Sequence, residues 1–368
     1  MEGFIAIFDK LDDPRAANAR HSLFEVLFAA LCAALCGFKG AEATAEFAEE
    51  SLDFLRRYSP YRHGAPSHDT ISRLFRLLDP KAFGAVFAEF MAAFSEGLKD
   101  IVAIDGKTAR RSFDKASKRS PLHMVSAWAS DAQLVLGQVA TDAKSNEITA
   151  IPALLDLLAL KGKVVTIDAM GTQREIAEKI VGKGADYVLA LKGNQGTLHS
   201  DAKLFMNDPA RALNGPLSRT VDADHGRIET RVATVSTDVG RLAHHRWPGL
   251  KALGKIVRTV EDKATGAKTV ETAYHLLSAP MTSARYAECV RAHWGVENSL
   301  HWRLDVTFRE DEDRSRKNHS AANISILRRM ALNLLSKMGA EKKKLSMVGK
   351  MRKALLNQDY RRRVLETL

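Results

Sequence analysis

Two short segments that each end in an aspartate decide the fold: residues 101–105 read IVAID and residues 164–168 read VVTID. Short runs of aliphatic and β-branched residues predict buried β-strands. Each aspartate stands where a strand is expected to end and a loop to begin, which is where sheets of the α/β type place reactive groups. We therefore predict two strands with a carboxylate at the end of each.

The segments around these two strands complete an order of elements. Residues 122–129 and 134–140 predict two further strands, and residues 187–191 predict a fifth. A helix with Thr149 as its cap is predicted before the VVTID strand. A capping box at TQRE, residues 172–175, predicts another helix after that strand.

The resulting order, β-β-β-α-β-α-β, is the pattern of a ribonuclease-H-like sheet. Three consecutive antiparallel strands followed by two βα crossovers leave few arrangements, and in this one the first and fourth strands are central neighbours. We therefore expect an α/β fold whose core is a mixed five-stranded sheet flanked by helices.

Changes in pattern divide the chain into four predicted parts. These are an N-terminal all-helical domain that is a candidate for DNA binding (1–98), a catalytic core in two pieces (99–195 and 286–340), a β-rich insertion (196–285) and a basic C-terminal helical segment (341–368). Within the insertion, strands are predicted at Thr230–Val235, Leu253–Val260 and Thr269–Leu277, with a hairpin turn at Ala264–Gly266.

Three helices are predicted in the N-terminal part. A capping box at residues 22–25 starts a helix that is apolar on every face, and a second helix is predicted near Glu42–Tyr58. The third is amphipathic and lies in PSHDTISRLFRLLDP, residues 66–80, with Arg73 and Arg76 pointing outward. It fits either a helix-turn-helix or a surface helix of a bundle.

The composition is that of a globular protein, with 45% hydrophobic and 27% charged residues. Cys32 and Cys36 lie in an apolar run and are interpreted as buried thiols of a reduced compartment. The first residues lack the pattern of an export signal, and the longest apolar run, residues 26–36, is too short to span a bilayer. We expect a soluble cytoplasmic protein without a membrane partner.

The charge is concentrated at one end of the chain. The formal net charge is +11, and residues 314–368 hold 15 Lys and Arg against three acids. The remaining 313 residues hold 40 basic and 41 acidic side chains and are nearly neutral. Such a basic segment predicts a polyanion partner, most often nucleic acid, although a solvated basic tail is the alternative.

The two strand-end aspartates suggest a metal site. On neighbouring strands, Asp105 and Asp168 would stand about 5 Å apart. Two like charges at that distance repel unless a cation lies between them, and Mg²⁺ prefers oxygen ligands of this kind. The alternative is that each aspartate only caps a turn.

A third acid is expected in RAHWGVENSLHWRLDVTFREDEDRSR, residues 291–316, where a helix is predicted over Thr282–Leu304. On an α-helix, Glu297, His301 and Asp305 share one face. Glu297 is favoured because bulky neighbours would hold it rigidly, and Asp305 is its rival. A transition-metal set of His293, Glu297 and His301 is a further alternative that the spacing leaves open.

Five motifs together resemble the insertion-sequence DDE transposases, in the branch that includes the H-repeat-associated proteins. They are DGKTARRS, VTIDAMGTQ, LALKGNQ, HGRIETR and HWGVENSLHWRLDVTFRED, and the likeness extends over almost the whole chain. The resemblance implies a ribonuclease-H-like core with a catalytic triad of Asp105, Asp168 and Glu297, which selects Glu297 over Asp305.

One departure from that family concerns the residues around the glutamate. Many related transposases carry a tyrosine, an arginine and a lysine at set distances from it. Here the position four before Glu297 is His293, the position seven before is Val290, and the position seven after is Leu304. Whether hairpin DNA ends form during the reaction is therefore open.

The resemblance implies a bacterial transposase that cleaves double-stranded DNA at element ends and joins the freed 3′ end to target DNA. Two Mg²⁺ ions, or Mn²⁺, roughly 3.5–4 Å apart would be bridged by Asp105 and held by Asp168 and Glu297. We expect a homodimer in the active DNA complex and a location at the nucleoid. The alternatives are a metal-dependent nuclease on the same fold and a non-catalytic DNA-binding protein derived from a transposase.

Several polar side chains are predicted to contact DNA, although a solvated charge is the alternative for each. Trp247 could stack on an unpaired base, but core packing is favoured, and Arg361–Arg363 could clamp the DNA backbone. The predicted DNA contacts are Lys107, Arg110, Arg111, Lys192, Asn194, Arg227 and His301.

Overall fold

The computed structural model describes residues 8–95, 101–113, 120–141, 146–208, 216–224, 226–338 and 345–367. The predicted domain boundaries at 98/99 and 340/341 lie outside these residues.

Within the described residues, nine strands form one mixed sheet in the order β3-β2-β1-β4-β5-β9-β8-β7-β6. The strands are β1 Ile101–Ala109, β2 Leu122–Ala129, β3 Leu134–Ala140, β4 Val164–Ile167, β5 Asp186–Leu191, β6 Ser218–Asp224, β7 Arg227–Ser236, β8 Ala252–Asp262 and β9 Lys268–Leu277.

The helices are α1 Leu23–Leu35, α2 Gly40–Glu50, α3 Leu52–Leu55, α4 His68–Leu77, α5 Pro80–Ser95, α6 Glu147–Leu157, α7 Arg174–Gly182, α8 Gly196–Asn207, α9 Ser283–Gly295, α10 Ser320–Lys337, α11 Met347–Leu356 and α12 Gln358–Leu365. Short 3₁₀-helices occur at Gly193–Gln195, Gly240–His245 and Glu310–Glu312.

The centre of the sheet agrees with the prediction from element order. β1 and β4 are parallel neighbours, with Ile104 opposite Ile167, and β2 and β3 extend the sheet antiparallel on one side. The sheet is larger than the five strands expected, because β5 pairs antiparallel with β9 through Val188 and Leu277. An unpaired β5 would expose a row of backbone donors and acceptors, and β9 satisfies them.

The insertion is therefore continuous with the core sheet. Its predicted strands are present in β7, β8 and β9, and the hairpin turn at 264–266 is confirmed, with the Asp262 side chain accepting from the amides of Ala264 and Thr265. Two elements of this region were not predicted, the helix α8 and the strand β6.

Helix α1 forms the centre of the helical part of the protein. Its predicted capping box is confirmed, because the Ser22 hydroxyl accepts from the Glu25 amide and the Glu25 carboxylate accepts from the Ser22 amide, both at 3.1 Å. Almost every residue of the helix is buried, including Cys32. The predicted helix over 42–58 is instead α2 and α3, which separate at Ser51.

The C-terminal residues are part of this helical core. Met351, Tyr360 and Val364 pack in the same buried cluster as α1, so the basic segment is not a free tail. Arg361, predicted to clamp DNA, is buried, donates to the carbonyl of Ala354 at 2.9 Å and lies over aromatic rings. Its hydrocarbon stem and planar head pack well there, and the guanidinium is not exposed to a phosphate.

The remaining sequence expectations concern single side chains. Cys32, Cys36 and Cys289 are buried free thiols, and Trp247 is buried in the core, as favoured. No single helix among the described residues is long and apolar enough to cross a membrane. Helices α1 and α2 would be long and apolar enough only if counted together, and they are bent by 96° relative to each other.

Candidate active site

The first predicted acid lies inside a strand and not at its end. β1 continues to Ala109, which is paired with Leu122, because β1 and β2 extend together as a hairpin arm past the point where β4 stops. Asp105 is the next residue after Ile104 and Asp168 is the next after its partner Ile167. The two aspartates therefore occupy corresponding positions on adjacent parallel strands.

The loop after β4 is held tightly around the second aspartate. The Gly171 amide donates to Asp168 Oδ1 at 3.0 Å, and the Thr172 hydroxyl donates to the Asp168 carbonyl at 2.9 Å. Thr172 is thus not the predicted helix cap. Asn194, predicted to contact DNA, donates its amide to the carbonyl of Ala169 at 2.7 Å and so fixes this loop to the end of β5.

A glycine is required at one position of this loop. A Cβ at Gly171 would lie 2.4 Å from Ile167 Cγ2 and 2.7 Å from Ile151 Cδ1, which are both packed in the core. The side chain before it, Met170, is exposed. Close packing of the loop against β4 and α6 therefore keeps Asp168 at the sheet edge.

The third predicted acid stands on a distorted helix. The α-helix α9 ends at Gly295, and the chain continues as π-helical turns over Val296–His301 and Arg303–Thr307. The segment is therefore helical to Leu304 as predicted, but the α-helical spacing used to place Glu297, His301 and Asp305 on one face does not continue beyond α9. Hydrogen bonds from i to i+5 change which residues share a face, and such turns are frequent at functional sites. Glu297 is exposed in the first π segment.

Bulky side chains do not enclose Glu297 on all sides, contrary to the sequence-based expectation. Leu300 is fully buried beneath the segment, but Trp294 and Trp302 are each 56% exposed. Both indole rings near Glu297 in the chain are therefore accessible to solvent.

Burial and like charge act together on Asp105. Burial, which is the largest cause, acts together with the carboxylates of Glu147, Asp168 and Glu297 to raise the pKa of the Asp105 carboxyl to about 7, and a backbone hydrogen bond from Gly106 opposes them. The other two predicted acids, Asp168 and Glu297, are therefore near enough to Asp105 to raise its pKa. The arrangement is costly unless a proton or a cation compensates the charge, and oxygen donors of this kind fit a hard divalent cation.

The three carboxylates are not drawn together as tightly as metal ligands. Their ligand oxygens do not all lie within 4.8 Å of one another. Among the described residues, a set that is this close consists of Asp201, His244 and His245. Mutual repulsion between Asp105, Asp168 and Glu297 is the physical reason to expect such a separation.

Two histidines lie beside the strands that carry the aspartates. His301, predicted to contact DNA, places Nδ1 3.8 Å from Asp105 Oδ2, and burial together with Arg329 lowers its pKa to about 4. His293 lies 3.1 Å from the Thr166 hydroxyl, and burial lowers its pKa although Asp168 raises it. The alternative ligand set of His293, Glu297 and His301 is therefore not formed.

Lys107 is committed to carboxylates and not exposed to DNA. It lies in β1 and not in a loop, its side chain is only 7% exposed, and its Nζ lies 2.7 Å from Asp305 Oδ1, 3.1 Å from Asp311 Oδ1 and 3.8 Å from Glu310 Oε2. The prediction of Lys107 as a DNA contact is therefore not supported. The same ion pair occupies Asp305, the rival third acid.

Comparison with known protein families identifies the family of this chain. A family model described as "Transposase DDE domain" matches residues 96–334, and a second, described as "DDE_Tnp_1-associated", matches residues 5–91. The chain belongs to the DDE transposase family.

Curated relatives extend over nearly the whole chain. It is 40% identical to the H repeat-associated putative transposase YhhI of Escherichia coli K12, over 95% of this chain and 93% of that protein. It is 42% identical to the putative transposase YncI of Escherichia coli O157:H7, over 88% and 84%, and 40% identical to the putative protein YbfL of Escherichia coli K12, over 96% and 95%.

A buried ion-pair network connects the segment after the π-helical turns to the central sheet. Arg329 of α10 is fully buried, with Nη1 2.8 Å from Glu310 Oε1 and Nε 3.3 Å from the hydroxyl of Ser126 on β2. Burial alone would raise the pKa of Glu310, but Arg329, Arg328 and Lys107 lower it to about 2. Sequence reasoning missed this network because its partners come from distant elements.

A fourth carboxylate was also missed. Glu147 begins α6, and its Oε1 lies 2.7 Å from Nε2 of His123, whose Nδ1 lies 2.7 Å from the Thr108 hydroxyl. The pair packs over Gly106, where a Cβ would come within 2.1 Å of Glu147 Oε1. Glu147 raises the pKa of Asp105, so it belongs to the same site. A glutamate in the first turn of a helix is common, and the position of Glu147 in the sequence does not indicate that it lies near Asp105.

The other predicted DNA contacts differ in position. Arg110, Arg111 and Lys192 are exposed, with Arg110 Nε 3.3 Å from Asp311 Oδ2. Arg227 is exposed at the start of β7, three strands beyond β5 in the sheet order.

Proposed function

We propose that this protein cleaves double-stranded DNA at the ends of an insertion sequence and transfers the strand to target DNA, with Asp105, Asp168 and Glu297 as its metal-holding acids. The observation that carries the proposal is the register of the two central strands. It sets Asp105 and Asp168 at corresponding positions of adjacent parallel strands. Separately, the Glu297 carboxylate raises the pKa of Asp105.

The three acids would hold Mg²⁺, with Mn²⁺ as an alternative. When bound, such ions supply activation of the attacking oxygen and stabilisation of the leaving oxygen in phosphoryl transfer. The chain contributes fixed ligands: the Gly171 amide engages one oxygen of Asp168, which leaves the other oxygen free of that bond. Because the carboxylates repel one another, the site is matched to a divalent cation.

His301 keeps the site from acquiring a competing positive charge. Its pKa of about 4 leaves the imidazole neutral at physiological pH, although Nδ1 lies 3.8 Å from Asp105 Oδ2. A protonated histidine at that place would compensate the Asp105 charge and weaken cation binding. Because burial keeps His301 neutral, the Asp105 carboxylate would stay available as a metal ligand.

The DNA-binding surface would combine exposed cations and indoles. Arg110, Arg111 and Lys192 can position phosphates, and Trp294 and Trp302 offer faces on which unpaired bases can stack. We assign further contacts to the helical domain, and we expect a homodimer in the active complex because two element ends must be joined. Since its substrate would be chromosomal DNA, we place the reaction at the bacterial nucleoid.

The test uses the full-length protein and labelled element-end DNA, with and without Mg²⁺. Asp105→Asn, Asp168→Asn and Glu297→Gln should each abolish Mg²⁺-dependent cleavage while retaining DNA binding. Asp305→Asn is the matched control from the same segment and should keep cleavage, because Asp305 pairs with Lys107.

Each other outcome selects a different conclusion. Loss of cleavage in Asp305→Asn but not in Glu297→Gln would show that the third acid is wrong. Unchanged DNA processing in all variants would indicate a non-catalytic DNA-binding protein. With a pre-cleaved 3′ end as substrate, cutting without joining would identify a nuclease on the same fold.

A further inference from the structure

A second cluster of metal-ligand side chains lies in the insertion. Asp201 on α8 and the consecutive His244 and His245 form what we call the His-Asp cluster. His245 Nε2 lies 2.8 Å and His244 Nε2 lies 3.3 Å from the same oxygen, Asp201 Oδ2. Among the described residues, this set of three possible ligand residues is the one whose ligand atoms all lie within 4.8 Å of one another.

The hydrogen bond on the far side of His244 determines its tautomer. Nδ1 lies 2.9 Å from the carbonyl oxygen of Arg241, so Nδ1 must carry the proton and donate it. In the neutral ring, Nε2 then holds a lone pair that faces the Asp201 carboxylate, which is also an acceptor. Two acceptors 3.3 Å apart repel unless a proton or a metal ion lies between them. Metal-bound histidines commonly donate their second nitrogen to a backbone carbonyl in this way.

The backbone around His245 is fixed before any ligand binds. The Arg174 guanidinium donates to the carbonyls of His245 at 2.6 Å and Arg246 at 2.9 Å and lies over the Trp247 ring at 5.4 Å. The His245 side chain is only 10% exposed, whereas that of His244 is 62% exposed. The cluster is thus rigid on one side and open to water on the other.

We propose that Asp201, His244 and His245 bind a transition-metal ion of the Zn²⁺ type, with water completing the coordination. Two imidazoles and one carboxylate suit Zn²⁺, whereas Mg²⁺ prefers oxygen ligands alone. Ligands about 2.0–2.1 Å from a tetrahedral ion stand roughly 3.4 Å apart, and the two histidine nitrogens lie at distances close to this, 2.8 and 3.3 Å, from Asp201 Oδ2. The ion would crosslink α8 to the segment before β8, independently of the proposed catalytic site.

The experiment titrates tag-free, chelator-treated full-length protein with Zn²⁺ by calorimetry, in excess Mg²⁺ to occupy the acidic site. Co²⁺ serves as a spectroscopic probe of the coordination. We expect one equivalent of Zn²⁺ to bind to the wild type, with at least a tenfold loss of affinity in His244→Gln and Asp201→Asn. Because His244 is exposed, its substitution does not endanger folding.

Two controls separate this site from other metal binding. His199→Gln, two residues before Asp201 in α8, should bind Zn²⁺ like the wild type, and so should Asp105→Asn. Absence of Zn²⁺ binding in the wild type, or equal affinity in His244→Gln and Asp201→Asn, would overturn the proposal. Loss of the Zn²⁺ equivalent in Asp105→Asn would assign that ion to the acidic site and also overturn it.

Discussion

Replacement of Glu310 by glutamine tests whether the buried network holds the transposase core together. Glu310→Gln keeps the shape of the side chain but leaves Arg329, which is fully buried, without its counter-charge at 2.8 Å. Removing one partner of a buried pair costs about 3–5 kcal/mol. Because Arg329 also bonds Ser126 on β2, the loss should be felt in the central sheet.

The lowered pKa of Glu310 gives a second estimate of the loss in the free energy of unfolding. A carboxyl whose pKa falls from its ordinary 4.5 to about 2 on folding contributes about 3 kcal/mol at neutral pH. Since the folded pKa lies below the unfolded one, this contribution is complete above about pH 4.5 and is lost as the pH falls towards 2. The difference between wild type and Glu310→Gln should therefore shrink over that window.

The assay is urea unfolding followed by tryptophan fluorescence at pH 7 and again near pH 3. Glu312→Gln is the matched control in the same 3₁₀ turn, because Glu312 is exposed and only 3.6 Å from the exposed Arg309. The control should change the free energy of unfolding by less than about 1 kcal/mol. A loss below about 1 kcal/mol in Glu310→Gln at pH 7, or one that does not depend on pH, would refute the reasoning.

Three further predictions follow from single contacts. Lys107→Met should lower the free energy of unfolding but leave the salt dependence of DNA binding unchanged, because Lys107 pairs with carboxylates. Arg110→Ala should instead reduce the slope of log binding constant against log salt concentration by about 1. Equal slopes for the wild type and Arg110→Ala would exclude Arg110 as a phosphate contact. Gly254→Ala should destabilise by about 1–3 kcal/mol in thermal unfolding, because its Cβ would lie 2.3 Å from the buried Tyr286 ring, and an unchanged melting temperature would contradict this. Trp302→Ala should leave folding intact but weaken binding of DNA with an unpaired end by about 1–3 kcal/mol per stacked base. Fluorescence anisotropy measures the binding, and fully paired DNA is the control. An equal loss of affinity for fully paired DNA would show that the effect is not due to stacking.

Local patterns were sufficient for the centre of the fold. Alternation, β-branched runs and capping residues are properties of neighbours in the chain, so β1, β4 and the capping box of α1 could be predicted from them. The handedness and shortness of the connections then made β1 and β4 neighbours, and this placed Asp105 beside Asp168.

Patterns failed where the deciding contact was distant in the chain. Lys107 is a surface-type residue by composition, but three carboxylates about 200 residues later neutralise it in the interior. Glu147 likewise joined the site only because α6 begins over Gly106. The function of a charged side chain depends on the other charges that lie near it in the folded protein. Those neighbours are distant in the sequence, so residue spacing does not predict them.

By itself, the amino-acid sequence determined the order of the central strands and the placement of Asp105 beside Asp168, because both depend on short-range periodicity and simple topological rules. The tertiary structure alone decided that the insertion extends the sheet beyond β5, that Arg361 is a packing residue and that Glu297 stands on a π-helical turn. These features depend on which surfaces remain to be covered once distant segments have packed, and that is a property of the whole chain.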